Sequence, residues 1–307
     1  MCPRLRLIRA QHFTFSSTRP NSLIRSAQLA MSTFNLPDTI PAVPVKLTEE
    51  LSKDQLLAFP AFKTWLSTLK SSLDLQKQDS HSFHSAPYTL RNITIQSCDF
   101  FSGGRLGFVK LRAEVSNDAG EKLPGSVFLR GGSVAILLVL QPEDAKDTSE
   151  EYVILTVQPR IPAGSLAFVE LPAGMLDDNG TFTGAAAKEI KEETGLEIQE
   201  EELVDMTELV NRRADDVTNK EELQQAVYPG PGGSDEFLAV FLLRKRMGRN
   251  EIEGLKGKLT GLRGHSEKIT LRLCRLDELW KIGARDGKAL AAVALYEGLR
   301  REDLISR

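Results

Sequence analysis

"GMLDDNGTFTGAAAKEIKEETGL", residues 174–196, places Glu189, Glu192 and Glu193 in a run that otherwise has the composition of a helix. At about 3.6 residues per turn, the three carboxylates fall within about 100° of one helix face. Ala186 and Ile190 lie beside them, on a face able to pack. Exposed like charges at i,i+4 cost a helix only about 0.2–0.5 kcal/mol per pair, so an acidic face can simply be a solvated one. The alternative is that something positive belongs against it. Upstream, "LAFVE" (166–170) reads as a strand and leads through "LPAG" (171–174) into the run. Strand, loop and helix therefore follow one another, and the helix stops at Gly195.

Read as one unit, these residues resemble the Nudix box. That pattern runs Gly, five residues, Glu, seven residues, Arg-Glu, an aliphatic, any residue, Glu-Glu, any residue, Gly, an aliphatic. Gly174, Glu189, Ile190, Glu192, Glu193, Gly195 and Leu196 all fall in register. Two positions depart: Gly180 stands where the pattern has Glu, and Lys188 where it has Arg. In the family those two brace the loop against the helix as an ion pair. Here that pair is expected to be absent, with Lys188 reaching Asp177 or Asp178 instead. The helix carboxylates themselves are intact.

The resemblance extends beyond the box, from about residue 58 to the C-terminus, and points to the ADP-sugar and ADP-ribose branch of the family. "VQPRIPAGSLAFVELPAGMLDD" (157–178) is similar to the approach to the box in that branch. By this resemblance Arg160 contacts the substrate diphosphate, Glu170 helps bind substrate or metal, and the Ala173 carbonyl is a metal ligand. "YPGPGGSDEFLAVF" (228–241) resembles the loop that carries a further acid, so Glu236, with Asp235 as its neighbour, is the candidate base or metal contact. The glycines of that loop, Gly230, Gly232 and Gly233, suit a segment that moves over substrate. "FLRGGSVAILLVL", "GKLTGLRGHSEKITLRL" and "DGKALAAVALYEGLRRE" add to the likeness.

The resemblance implies Mg²⁺-dependent hydrolysis of an ADP-sugar, such as ADP-glucose to AMP and glucose 1-phosphate, with Mn²⁺ as a second possible cation. Glu189, Glu192 and Glu193 would hold the metal, water would attack one phosphorus, and Glu236 or a box glutamate would take the proton. An ADP-ribose diphosphatase is the alternative of the same chemistry. A nucleotide-sugar sensor with little hydrolysis is the alternative of another class, and a solvated acidic helix in a structural protein is a third.

Composition sets bounds on these readings. With 307 residues, 41% hydrophobic and 26% charged, the chain can bury a real core. A net charge of −3 excludes a broadly basic nucleic-acid surface. Cys2, Cys98 and Cys274 share no close spacing, and the four histidines form no HxxxH or HExxH, so any metal is expected to have oxygen ligands. The longest apolar run, "VAILLVL" (134–140), is far short of the ~20 residues of a spanning helix and reads as a buried strand.

The domain reading follows from texture. Residues 1–30 hold five arginines and no acid, the composition of an organellar transit peptide, with the mitochondrion expected over the plastid. Met31 offers an alternative cytoplasmic start. Residues 31–87 combine an extended Pro-rich stretch, a helical pattern at 48–70 and a polar linker at 71–87. Residues 88–132 carry alternating strands, and the resemblance implies that they form an N-terminal antiparallel β-domain that pairs across a homodimer. By the resemblance, residues 133–285 are expected to form the Nudix domain, an α/β/α sandwich, and 286–307 a C-terminal helix. The expected fold class is α/β.

Overall fold

The computed structural model describes residues 32–39, 41–176, 181–212, 221–261 and 268–305. Its first sheet joins β1 (Thr33–Asn35), β2 (Pro44–Lys46), β3 (Thr89–Phe100), β4 (Leu106–Ser116) and β5 (Lys122–Leu123) in that order, and β6 (Ser126–Leu129) pairs with β4. Alternation along β4 sends Val109, Leu111, Ala113 and Val115 inward, where they meet Ile93, Ile95, Leu56 and Phe62. The "31–87" stretch thus contributes two strands and a helix pair to the same core as the strands that follow it.

The single helical pattern expected at 48–70 is two helices, α1 (Lys53–Ala58) and α2 (Pro60–Leu75). Pro60 is the cause. A proline disfavours helical geometry in the residue before it, and Phe59 is extended at φ −65°, ψ 116°. Pro60 itself then starts α2, where its missing N–H costs nothing. Ser52 and Gln55 form a capping box at the start of α1. The stretch read as a linker after α2 is tied at its ends: Gln76 Nε2 donates to the Leu73 and Tyr88 carbonyls at 2.9 and 3.0 Å, and Gln76 Oε1 accepts from Tyr88 N at 2.7 Å.

The second sheet is built on β7 (Ser133–Pro142), which contains the apolar run. Its neighbours are β8 (Tyr152–Arg160), β9 (Ser165–Glu170), β10 (Ala173–Met175), β11 (Leu203–Asp205), β12 (Leu238–Met247), β13 (Leu259–Thr260) and β14 (Ile269–Arg275). The order is β11-β12-β7-β8-β14-β13, with β9 on β8 and β10 on β7. β7 and β12 run parallel from Ser133↔Leu238 to Pro142↔Met247. A parallel pair in mid-sheet must be covered on both faces, which is why this strand is continuously apolar. Val134, Ile136, Leu138 and Leu140 meet α3 (Phe182–Thr194), α4 (Met206–Asn211) lies on the other side, and α5 (Arg249–Leu255) joins α3. Ala135, Leu137 and Val139 face the layer holding α4, α6 (Leu279–Ile282) and α7 (Gly287–Arg301). Helices on both faces of a mixed sheet make the α/β/α sandwich that the sequence implied. Among the described residues, no helix is long and apolar enough to cross a membrane.

Candidate active site

α3 starts at Thr181, whose Oγ1 accepts from Gly184 N at 3.0 Å, and ends at Gly195 with φ 77°. Ala186 and Ile190 are fully buried on the sheet. That anchoring fixes the helix rotation and turns the i,i+4 pair Glu189 and Glu193 toward β10. A Cβ on Gly174 would lie 1.7 Å from Glu189 Oε1, so the Glu189 carboxylate occupies the space where any side chain at 174 would start. This is a glycine required by close approach.

Glu193 is only 5% exposed. Its Oε2 accepts from Ala173 N at 3.0 Å and its Oε1 from Gln158 Nε2 at 3.2 Å. Among the described residues no lysine or arginine is bonded to it. Burial pushes its pKa from the ordinary 4.5 up to about 8, and the Glu189 carboxylate adds to the rise. The Ala173 N–H and Gln158 pull the other way, and Glu170 raises it further. A buried carboxylate beside another, with no cationic side chain on it, suits either a proton or a bound cation. Oxygen-only donors suit a hard divalent ion. The Ala173 contact recorded is through its N–H; the sequence had singled out its carbonyl. Among the described residues, no three His, Cys, Asp or Glu side chains converge tightly enough to form a metal cluster.

Glu170 is buried differently. Its side chain is 3% exposed, with Arg160 Nε on Oε1 at 2.6 Å and Lys288 Nζ on Oε2 at 2.8 Å. Lys288 also bonds Asp286 Oδ1 at 2.8 Å. Burial alone would weaken that ammonium, but Asp286 and Glu170 outweigh it and push its pKa up. Asp286 caps α7 and accepts from Leu171 N at 3.0 Å, within the "LPAG" turn. The two candidates Arg160 and Glu170 are thus brought into one ion pair.

Glu236 Oε1 takes Arg130 Nη1 at 2.9 Å and Ser133 Oγ at 3.0 Å. Asp235 accepts from Arg130 N at 2.7 Å and Gly131 N at 3.2 Å. Burial pushes the Asp235 carboxyl up, against those N–H bonds. The loop also receives Phe128 N on Gly233 O at 2.8 Å. Gly230, Gly232 and Gly233 have open space at the Cβ position and no positive φ. The glycine run that suggested a moving segment therefore belongs to a loop hydrogen-bonded to the first sheet. Glu192 is half-buried on α3, one position from Glu193. Gly180, Asp177 and Asp178 lie outside the described residues, and with them the expected contact of Lys188.

Gln158, Lys288, Asp286, Arg130 and Ser133 were not singled out in the sequence. One signal was available. Lys288 is the second residue of α7, where the helix dipole disfavours a cation, so its presence there points to carboxylate partners. A surface recess lined by Pro142, Tyr152, Arg249 and Glu253 opens at the far end of β7 and holds none of the candidate residues.

A family model for the Nudix domain matches residues 130–293, more than half the chain. The chain belongs to the Nudix family and is a Nudix hydrolase, a class that acts on pyrophosphate bonds. It is 40% identical over 247 residues to Nudix hydrolase 14, chloroplastic, of Arabidopsis thaliana, covering 80% of this chain and 72% of that protein. A Caenorhabditis elegans protein named as nudix hydrolase 2 is 52% identical over 44 residues, 14% of this chain and 19% of its own. A solved structure described as an ADP compounds hydrolase covers 71% of this chain and 99% of its own, at 14% identity and a TM-score of 0.41, too low to add to the assignment. The Arabidopsis relative corrects the mitochondrial expectation, since that protein is named for the chloroplast. An arginine-rich, acid-free leader does not by itself separate the two organelles, and residues 1–30 lie outside those described.

Two outcomes are expected. Gly174→Ala displaces the Glu189 carboxylate and lowers turnover about a hundredfold, with the circular dichroism spectrum unchanged; near-normal turnover would show that Glu189 has no part in the reaction. The second concerns pH. Because the folded-state pKa of Glu193 is raised to about 8 from 4.5, its stabilising contribution is full below 4.5 and lost as pH rises through 8. In EDTA, Tm should fall between pH 5 and 9 and Glu193→Gln should flatten that fall, as read by differential scanning fluorimetry. Equal slopes for the two proteins would contradict the buried-carboxylate account.

Proposed function

We propose that this Nudix hydrolase cleaves the diphosphate of ADP-sugars, ADP-glucose to AMP and glucose 1-phosphate, with ADP-ribose as the competing substrate, and requires Mg²⁺ or Mn²⁺. The observation that carries the reading is Glu193, a buried carboxylate beside Glu189 with backbone and amide donors and no lysine or arginine bonded to it among the described residues. Glu189 and Glu193, with Glu192 and the Ala173 carbonyl, are the residues that would hold the cation. A bound divalent ion neutralises phosphate oxygens and makes water easier to deprotonate.

The remaining roles belong to the chain. Glu170 is assigned to orient Arg160, because its charge is already balanced by Arg160 and Lys288. Arg160 then receives the diphosphate. Water attacks one phosphorus, the bridging oxygen leaves with the other, and Glu236, held by Arg130 and Ser133, takes the proton. The ADP-sugar class is supported by the sequence likeness of residues 157–178 and 228–241 to that branch. Residues 1–30 are read as a plastid transit peptide, supported by the name of the Arabidopsis relative. A fusion of these thirty residues to a fluorescent protein should enter isolated chloroplasts, and exclusion would refute the reading.

The deciding assay is AMP release with Mg²⁺ across ADP-glucose, ADP-ribose, NADH and diadenosine polyphosphates. Turnover of the two ADP-sugars, stopped by EDTA and reduced by orders of magnitude in folded Glu193→Gln, is the expected result. Binding of ADP-sugars without AMP release would make the protein a sensor. Preference for NADH or dinucleotides would place the substrate outside the ADP-sugars.

A further inference from the structure

The charged network at the start of α7 stands behind Arg160 and Glu170, and no role in the reaction falls to Lys288. Two buried carboxylates, Glu170 and Asp286, each 3% exposed, share Lys288 Nζ at 2.8 Å. Like charges in a low-dielectric setting stay ionised only if compensated. Lys288 alone leaves the set one negative charge over, and Arg160 Nε, 2.6 Å from Glu170 Oε1, completes it. Helix electrostatics do not favour a lysine at this position, so the carboxylates are its reason for being there.

Arg160 is the outer member of the set. Its side chain is 41% exposed, and among the described residues only its Nε is hydrogen-bonded. A guanidinium held at Nε keeps its outer edge, both Nη groups, free to meet phosphate oxygens in a planar fork. Asp286 also accepts from Leu171 N at 3.0 Å, which ties the same network to the turn that presents Ala173 to Glu193.

We propose that Lys288 is a positioning residue for substrate binding: it fixes Glu170, and Glu170 fixes the Arg160 guanidinium with its outer edge toward the diphosphate. The proposal rests on the reading of Arg160 as the diphosphate contact. Without Lys288, Arg160 is the only cation on a buried carboxylate and is drawn inward, away from substrate. The effect falls on binding, since no atom of Lys288 meets the reacting groups.

The experiment uses the full chain. The Kd for ADP-glucose and ADP-ribose is measured by calorimetry in EDTA, and KM and kcat with Mg²⁺, for Arg160→Ala, Lys288→Met, Lys288→Arg and the Arg160→Ala/Lys288→Met double variant. Lys288→Met should raise Kd and KM about tenfold with kcat little changed. Lys288→Arg should restore most of the affinity. The double variant should bind no more weakly than Arg160→Ala alone, because Lys288 acts through Arg160. Effects that multiply in the double variant overturn the proposal, as does a fall in kcat at unchanged KM. Arg160→Ala with unchanged Kd overturns the reading of Arg160, and the proposal with it, so the two failures are told apart. If Lys288→Met does not fold, Glu170→Gln, which leaves the Lys288–Asp286 pair intact and removes the carboxylate that fixes Arg160, serves in its place. Its Kd should match that of Arg160→Ala, and wild-type affinity overturns the proposal.

Discussion

A carboxylate held out of water, with no cationic side chain bonded to it among the described residues, is the constraint around which this site is organised. Glu193 keeps its place because α3 is fastened to the sheet by Ala186 and Ile190, and because Ala173 N and Gln158 Nε2 meet its two oxygens. Those two donors come from β10 and β8, so the second sheet itself holds the acidic group. Gly174 completes the arrangement by leaving room for Glu189 beside it. The resulting excess of negative charge is the electrostatic basis of the proposed cation site.

Three other acids in the region, Glu170, Asp286 and Glu236, each have a cationic partner. Glu170 and Asp286 are compensated by Arg160 and Lys288. Glu236 is compensated by Arg130, whose Nε is buried without a partner among the described residues. Burying an ion pair costs desolvation that mutual attraction only partly returns, so such pairs are better explained by placement than by stability. Two of these pairs join elements far apart in sequence, Lys288–Glu170 linking α7 to β9 and Arg130–Glu236 linking the β6–β7 junction to the loop before β12, while Arg160–Glu170 joins the neighbouring strands β8 and β9. They hold the approach to the acidic face in position.

The first sheet takes part in that placement. Phe128 in β6 bonds the 230–236 loop through Gly233 and Ser234, and Asp235 accepts from Arg130 and Gly131 just beyond β6. The segment carrying Glu236 is therefore positioned by the first sheet on one side and by β7 on the other. Hydrogen bonds thus tie the first sheet to the loop beside the candidate site, and a change at the β6–β7 junction bears directly on it.

The fold was largely legible in the sequence. Period-two alternation marked β3 and β4, the unbroken apolar run marked β7 as a strand covered on both faces, and the glutamate spacing placed three acids on α3. These features are local, set by residue period and by the steric rules of glycine and proline, and Pro60 could have revealed the break between α1 and α2. The order of elements left α/β and α+β both open, and the α/β/α layering came from the resemblance of the box and its flanks to the Nudix family. Charge compensation was not legible. Whether a glutamate is free for a cation or already paired depends on which lysine or arginine the tertiary structure brings to it. Lys288 stands 118 positions from Glu170, and Arg130 stands 106 positions from Glu236. Sequence by itself determined that carboxylates would line one helix. Only the tertiary structure decided that Glu170 and Glu236 are paired while Glu193 is buried with no lysine or arginine bonded to it among the described residues, because burial and long-range ion pairing are properties of the packed chain.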